Sequence, residues 1–421
     1  MQWTECIPAW EGKISIALIL LCLAMICFPF SVAATNLFLG LLLALGILGG
    51  FWWQGVRKLW TNYRLLLIAL ITYLALVPIG LLWSLDPDWG GRILTRHWFW
   101  LLLPIVVMVL ISERHRNTFL TVMSFALTAN LVYCVLQAYG LIESPTVAGS
   151  TMDNATGHIG HTSFGFFYGV WAAWLIHLGL LFQNDKSWLL WGLASWALVM
   201  VFMAQGKSGY VVTLVAMLIV AAKWLKESRN RKIFASFAAV VLLLTLFLAF
   251  GPGKERLLAT WDVLTGSVAQ NELNSSQENA VSSVTARLEW WKMSYDIWLA
   301  QPVLGVGTGG FPQAAADWQA EQVDVQMFAR SLAHPHNQYL LAMVRWGAVG
   351  LLLLMGLLYF WIRSGISVQW RDSVAMPLLA LTGAALLIHG LSSASMEEHF
   401  STIFAVLLAG TGLSESISEK S

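Results

Sequence analysis

The chain has 421 residues, of which 58% are hydrophobic and only 11% are charged, and its mean hydropathy is +0.68. Soluble domains carry about 25% charged residues. The composition therefore excludes an ordinary soluble enzyme and indicates an integral membrane protein.

Twelve apolar runs approach the length of about 20 residues that a transmembrane helix needs. We predict an all-α membrane protein with about twelve spans, grouped as nine helices in 1–250, a polar segment in 251–337 and three helices in 338–421. The first run is too long for a removed signal peptide and lacks a small-residue cleavage site. The runs lie near 13–33, 34–53, 65–83, 93–111, 118–139, 162–182, 188–204, 208–225, 233–250, 338–362, 374–390 and 399–414.

The four cysteines lie at the N-terminus or inside predicted spans, at Cys6, Cys22, Cys27 and Cys134. None lies in the long polar segment. Neither a disulfide framework nor a cysteine-based metal site is expected.

Basic residues predict the orientation of the chain. If the N-terminus is cytoplasmic, 15 of the 24 Lys and Arg residues fall on short inside loops, as the positive-inside rule requires. Both termini are then cytoplasmic. Four outside cations lie at or within span ends, where a charge is costly and often functional: Arg92, Arg96, Lys207 and Arg345. A shared anionic ligand would explain them together; the alternative is that their long stems only reach for water.

Asp86-Pro87-Asp88 has two interpretations. Paired aspartates can hold a divalent ion, since hard cations prefer carboxylate oxygens. Alternatively, Asp86 caps a helix whose first residue is Pro87, an arrangement common at helix N-termini. We favour the cap, because it explains both residues and no further acidic cluster accompanies them.

The polar segment from 270 to 283 predicts a mobile tip, followed by an amphipathic helix over 284–300. Arg287 opens this helix, whose aromatic residues are typical of the membrane surface: Trp290, Trp291, Tyr295 and Trp298. Gln301-Pro302 ends it, and a second amphipathic helix is expected over 312–329.

Between these two helices lies a glycine-rich run, LGVGTGGF, at residues 304–311. As a dinucleotide fingerprint it is weak, because it follows a helix rather than a strand. It is either a flexible hinge or a backbone loop at which Gly305 and Gly307 allow a bulky headgroup to approach closely.

The segment His334-Pro335-His336-Asn337 precedes the tenth apolar run. Proline suits the first position of a helix, so we expect His336 in the first turn of a span at the water boundary. A helix N-terminus favours anions and disfavours a protonated imidazole. This predicts a neutral histidine that acts as a base beside a phosphate. The alternatives are a structural histidine at the span end, or a zinc site of His334 and His336 that would need further ligands.

These features together resemble the O-antigen ligase/O-antigen polymerase family of bacterial membrane glycosyltransferases. The resemblance rests on the Trp-rich helix with Arg287, the glycine run at 304–311 and His336-Asn337 before a span. It implies a GT-C-type, all-helical fold with a long periplasmic loop, in the inner membrane of a Gram-negative bacterium.

The resemblance also implies roles for individual residues. His336 matches the family's essential histidine, the expected catalytic base, and Arg287 matches the loop arginine expected to hold the donor diphosphate. Lys207, in Gln205-Gly-Lys-Ser-Gly209, stands where the family usually has Ser-Arg, so a point charge replaces the two-pronged guanidinium. His161, in a second polar turn, together with His334 and Asn337, is expected near the glycan.

By the same resemblance, the expected reaction is metal-independent, inverting and cofactor-free. It moves a glycan from undecaprenyl diphosphate to a sugar hydroxyl of lipid A–core. Expected partners are this donor, this acceptor and membrane lipids; neither a nucleic acid nor an obligate protein partner is expected. A polymerase that joins lipid-linked repeats is the first alternative. The second is a secondary transporter, which would show internal repeats that this sequence lacks. His389, Glu397, Glu398 and His399 either line the same vestibule or only mark the membrane boundary.

Overall fold

The computed structural model describes residues 7–143, 145, 150–152, 154–204, 206–228, 275–321 and 332–419. Over these ranges the chain is helical without strands, apart from an isolated bridge between Thr151 and Asn154. Two short 3₁₀ turns occupy Gly80–Trp83 and Trp98–Leu102. The described α-helices are α1 (Ile7–Cys27), α2 (Val32–Leu48), α3 (Phe51–Asn62), α4 (Arg64–Ile79), α5 (Pro87–Arg96), α6 (Leu103–Val109), α7 (Glu113–Ala138), α8 (His161–Phe182), α9 (Ser187–Met203), α10 (Lys207–Ser228), α11 (Ser275–Ala300), α12 (Phe311–Glu321), α13 (Gln338–Ile366), α14 (Met376–His389) and α15 (His399–Glu419).

Seven of the described segments are long and apolar enough to cross a membrane, or eight if α2 and α3 form one broken span. α2 and α3 are bent by 81° at Gly49-Gly50, where Gly50 has the left-handed φ of 80° that glycine tolerates. The apolar helices α9 and α14 are shorter. The protein is thus a multi-pass membrane protein, but twelve spans are not confirmed. The predicted run at 233–250 lies outside the described residues.

The loops gather at two opposite ends of the helix bundle. At one end, Gln338 donates its backbone N–H to the Gly390 carbonyl, and the Trp83 indole donates to the Leu304 carbonyl. We call this the histidine end, because it carries residues 334–337 together with loop 390–398. At the other end, Arg116 lies 3.8 Å from Glu415. This grouping agrees with the alternation of inside and outside loops expected from the sequence.

The predicted span that begins near residue 338 is not continuous. Trp346 and Gly347 have non-helical backbone angles, with φ of −132° and 63°, and they break α13 inside the apolar region. A break there frees backbone groups that find no water in a bilayer. The glycine-rich run supplies the partners: Val306 and Gly307 donate N–H groups to the carbonyls of Val344 and Arg345, each at 2.8 Å.

The glycines of this run are required by that packing. Gly305, Gly307 and Gly309 all have positive φ, between 63° and 96°. A side chain on Gly305 would collide with the Val344 carbonyl, and one on Gly307 with the backbone at Ser84. The run is therefore a packed loop that fits into the break of α13, and the expectation of a flexible hinge is wrong.

Helix α11 is longer than the sequence suggested. It begins at Ser275, so residues 275–283 are helical rather than a mobile tip, and Arg287 lies inside the helix instead of opening it. Gln277, Glu278 and Ala280 are good helix formers that extend the helix toward its N-terminus. Its predicted end at Gln301-Pro302 is confirmed, whereas α12 is described only as far as Glu321.

The preferred interpretation of Asp86-Pro87-Asp88 is confirmed. Asp86 precedes the first residue of α5, Pro87, and its side chain accepts the N–H of Trp89 at 2.9 Å. Such a cap satisfies one of the N–H groups that the first turn leaves unbonded.

We expect Asp86→Ala to destabilise the protein by about 1 kcal/mol, seen as a lower melting temperature in detergent. Asp86→Asn should retain most of the stability, because asparagine caps as well as aspartate. The matched control Asp88→Ala should have a smaller effect. If Asp86→Asn and Asp88→Ala instead abolished a Mg²⁺-dependent activity alike, the cap would not be the main role of the pair.

Candidate active site

The His-Pro-His turn differs from the sequence expectation in its register. α13 begins at Gln338, because the Asn337 side chain accepts the N–H groups of Tyr339 and Leu340 at 2.9 and 3.1 Å. Pro335 is therefore not the first helical residue, and His336 lies just before the cap instead of in the first turn. The Asn337 amide also donates to the Leu391 carbonyl, so both ends of this side chain have protein partners.

His336 has an unusual backbone conformation. Its φ is 52°, in the left-handed region that non-glycine residues rarely occupy. The N–H of His336 donates to Nδ1 of His334 at 3.3 Å. Because Nδ1 of His334 is the acceptor, the ring proton of a neutral His334 resides on Nε2. Strained backbone of this kind is concentrated at functional sites.

Two aromatic contacts fix the imidazole of His336. Its ring stacks on the Trp290 ring with centroids 5.2 Å apart and an interplanar angle of 26°, and it meets the His334 ring edge to face at 4.5 Å. Arg287 lies one helical turn before Trp290 on the same face of α11. The tenth apolar run and the Trp-rich helix therefore meet at this histidine.

Burial, followed by the charges of His334 and Arg287, lowers the pKa of His336 to about 4. The imidazole is consequently neutral at pH 7, as the sequence predicted, although the cause is not a helix N-terminus. Burial also lowers the pKa of Arg287. The half-buried guanidinium still remains a cation near neutral pH.

His389 forms a hydrogen bond to α8, the helix that begins at His161. His389 lies within electrostatic range of Arg287. Its Nε2 lies 3.2 Å from the Thr162 carbonyl and its Nδ1 2.7 Å from the Ser395 hydroxyl. Since a carbonyl only accepts, Nε2 carries the proton and Nδ1 accepts from Ser395. This fixes His389 as a connector between α14 and the start of α8.

His161 and Lys207 are the first residues of two neighbouring helices, α8 and α10. The Gly206 backbone lies against the His161 carbonyl, and Gly165 and Gly209 allow the two helix backbones to touch. The structure therefore brings the two residues together at the histidine end, where the sequence placed them separately. Gln205 of the same turn lies outside the described residues.

Arg345 is neutralised by the protein itself. Its guanidinium forms two hydrogen bonds to Glu397, at 2.7 and 3.2 Å, and both side chains are buried. Burial alone would raise the pKa of Glu397, but the charge and hydrogen bonds of Arg345 outweigh it and hold the pKa at about 2. The expectation that Arg345 shares an external anionic ligand with the other cations is therefore not supported.

A cavity of about 370 Å³ lies next to His334 at the histidine end. Of the four residues whose place the sequence left open, Glu397, Glu398 and His399 line this cavity and His389 does not. Burial raises the pKa of Glu398, whose carboxylate accepts a hydrogen bond from the Ser393 hydroxyl. The cavity residues are Asn36, Thr95, Arg96, Trp98, Phe99, His334, Ala394, Glu397, Glu398 and His399.

The two arginines of α5 have different positions. Both are exposed, with each guanidinium 5.6 Å from the Trp89 ring. Arg96 lines the cavity, whereas Arg92 is not among the lining residues. The structure therefore places Arg96, but not Arg92, beside His334.

The glycine-rich run packs against the protein's own backbone. The groups closest to Gly305 and Gly307 are the backbones of α13 and of Ser84, and the N–H groups of both glycines are used inside the protein. The glycines do allow another group to come close, as predicted, but that group is protein backbone. The packing does not support contact between these two glycines and a headgroup.

The sequence did not identify two contributors to the site. Trp290 was interpreted only as a membrane-surface aromatic, although its spacing of three residues from Arg287 puts both side chains on one helix face. Glu397 could not be paired with Arg345 from spacing alone. Within the described ranges, no group of three or more His, Cys, Asp or Glu side chains is arranged to hold a metal ion.

Residues 192–355 match the family model described as O-antigen ligase. The matched segment is less than half of the chain, but it contains Lys207, Arg287, the glycine-rich run and the His-Pro-His turn. Over this segment the chain is similar to the O-antigen ligase family. No curated protein is similar enough to the chain to count as a match.

The buried Arg345–Glu397 ion pair should contribute to the stability of the fold. Arg345→Ala or Glu397→Ala should each cost about 3–5 kcal/mol, because the remaining charge stays buried without a partner. The double variant Arg345→Met/Glu397→Leu should melt closer to the wild type than either single variant does. Thermal unfolding in detergent measures this, with the exposed Glu321→Gln as a control. Additive losses in the double variant would contradict the pairing.

Proposed function

We propose that the protein is an O-antigen ligase. In this proposal it transfers a glycan from undecaprenyl diphosphate to a sugar hydroxyl of lipid A–core in lipopolysaccharide biosynthesis. The observation that carries the proposal is the neutral His336 stacked on Trp290 beside the half-buried cation Arg287. Both side chains come from the segment that matches the O-antigen ligase family.

The chemistry follows from these two groups. An imidazole nitrogen of His336 takes the proton of the acceptor hydroxyl, and the hydroxyl oxygen forms a bond to the anomeric carbon of the donor glycan. The bond from that carbon to the diphosphate breaks, and its electron pair leaves with the diphosphate. Arg287 and Lys207 stabilise the negative charge that develops there. A single displacement inverts the configuration at the anomeric carbon and uses no metal.

The low pKa of His336 fits a site in which the bound glycan donor makes the histidine a stronger base. A base works best when its pKa is near the operating pH, and about 4 is low for a base at neutral pH. A bound diphosphate offsets the charge of Arg287 and adds negative charge close to the imidazole. Both effects raise the pKa of His336, so the base becomes stronger only when the donor is present.

The location of the site follows from the loops. We place the histidine end at the periplasmic face of a Gram-negative inner membrane and both termini in the cytoplasm, because short loops at the opposite end carry most basic residues. Both lipid substrates would then reach the site from the outer leaflet. A GT-C-type fold is part of the same proposal.

We expect His336→Ala to lower transfer by about 10²–10⁴-fold, the usual contribution of a general base. The assay combines purified protein, a polyprenyl-diphosphate glycan and rough lipopolysaccharide, and the products are resolved as a ladder. His115→Ala, at the opposite end, is the matched control. Near-normal transfer by a folded His336→Ala protein would contradict the base role, and longer polyprenyl glycans instead of lipid A products would indicate a polymerase.

Arg287→Ala should reduce donor use more than Arg287→Lys does, because lysine keeps the charge but loses the two-pronged geometry. The comparison uses kcat/KM measured at varied donor concentration. Lys292→Ala on the exposed side of the same helix controls for loss of a positive charge. Equal effects of the two Arg287 variants would argue against specific contacts with the diphosphate.

A further inference from the structure

The cavity borders His334, whereas Arg287 acts electrostatically on His336 and is not among the lining residues. The His334 ring borders the cavity and also contacts the His336 ring at a centroid distance of 4.5 Å. Arg287 acts on His336 from helix α11. A molecule in the cavity would therefore contact His334, the direct neighbour of the proposed base, and leave the place beside Arg287 to the diphosphate.

The wall of the cavity contains polar atoms that lack partners. Asn36 Oδ1 and His399 Nε2 are buried and form no hydrogen bond with any described residue. Buried polar atoms in folded proteins are nearly always bonded. Both residues line the cavity, so a suitable occupant is one that offers several hydrogen-bond donors and acceptors.

The charges of the wall favour a hydroxyl-rich group over a phosphate. Glu397 is already neutralised by Arg345, and Glu398 adds a second carboxyl group. Arg96 is the cation among the lining residues, and it is exposed and stacked on Trp89. Carboxyl oxygens repel phosphate but accept hydrogen bonds from hydroxyl groups. The diphosphate is therefore better accommodated beside Arg287.

The remaining walls are aromatic. Trp98 and Phe99 line the cavity, and Phe99 meets the His399 ring edge to face at 5.3 Å. Apolar faces combined with a few placed polar groups are typical of small-molecule sites, whose volumes range over about 300–1,000 Å³. The volume of about 370 Å³ suits one or two sugar rings.

We propose that this cavity is the acceptor subsite and binds the terminal sugar of the acceptor glycolipid. This inference rests on the proposed function. Glu398, Asn36 and His399 would bond the sugar hydroxyls, and His334 would form the wall of the subsite on the side of His336. The diphosphate of the donor would then lie toward Arg287 and the body of the acceptor sugar in the cavity, and the attacking hydroxyl would meet the anomeric carbon at His336.

Two variants test the subsite in the purified full-length protein. Glu398→Gln removes the carboxylate with little change in shape, and Thr95→Trp places a bulky ring at the exposed rim of the cavity. We expect each variant to raise the KM for rough lipopolysaccharide at least tenfold and to leave the KM for the polyprenyl-diphosphate glycan within twofold. Asp317→Asn, an exposed carboxylate on α12, is the matched control and should change neither value.

A second measurement separates the subsite from the proposed reaction. Equilibrium dialysis with labelled, delipidated core oligosaccharide should show binding to the wild type and a loss of at least tenfold in Thr95→Trp. Wild-type protein that transfers no glycan would contradict the proposed function, and the dialysis result would then decide the subsite alone. Unchanged acceptor KM, a raised donor KM, or equal oligosaccharide binding by wild type and Thr95→Trp would each overturn the inference.

Discussion

The break in α13 is the constraint on which the histidine end depends. A span interrupted at Trp346-Gly347 leaves carbonyl and N–H groups that a bilayer cannot satisfy. The loop at 302–308 satisfies them, through Val306 and Gly307 on one side and through Ala348, which donates to the Pro302 carbonyl, on the other. Because the same loop joins α11 to α12, this pairing fixes the helix that carries Arg287 and Trp290 against the span that His336 precedes.

The break in α13 also lies next to the buried ion pair of the histidine end. Arg345 lies immediately before it, and the buried pair with Glu397 ties α13 to loop 390–398. Two charges in a buried site are tolerated only when geometry and hydrogen bonds match, so this loop has a defined position. Its neighbours Glu398 and His399 consequently line the cavity beside His334. Arg287 therefore acts on His336, whereas the carboxyl groups of Glu397 and Glu398 lie in the cavity that His334 borders.

The sequence predicted those features that depend on neighbours along the chain. Helix capping by Asp86 and the end of α11 at Pro302 follow from local residue types, whereas His336 is neutral because of burial and the charge of the distant Arg287. The broken α13, the left-handed His336 and the Arg345–Glu397 pair depend on groups far apart in the sequence, and no spacing rule connects them. For the same reason the sequence predicted either a flexible hinge or a headgroup contact for the glycine-rich run, whereas its partner is the backbone of α13.

The most direct test of the central claim is an experimental structure of the protein with a polyprenyl-diphosphate glycan and core oligosaccharide both bound. We expect the diphosphate to contact Arg287, the acceptor sugar to occupy the cavity beside His334, and His336 to lie within hydrogen-bond distance of an acceptor hydroxyl that faces the anomeric carbon. A diphosphate bound against Glu397 and Glu398, or a His336 ring remote from both substrates, would contradict it.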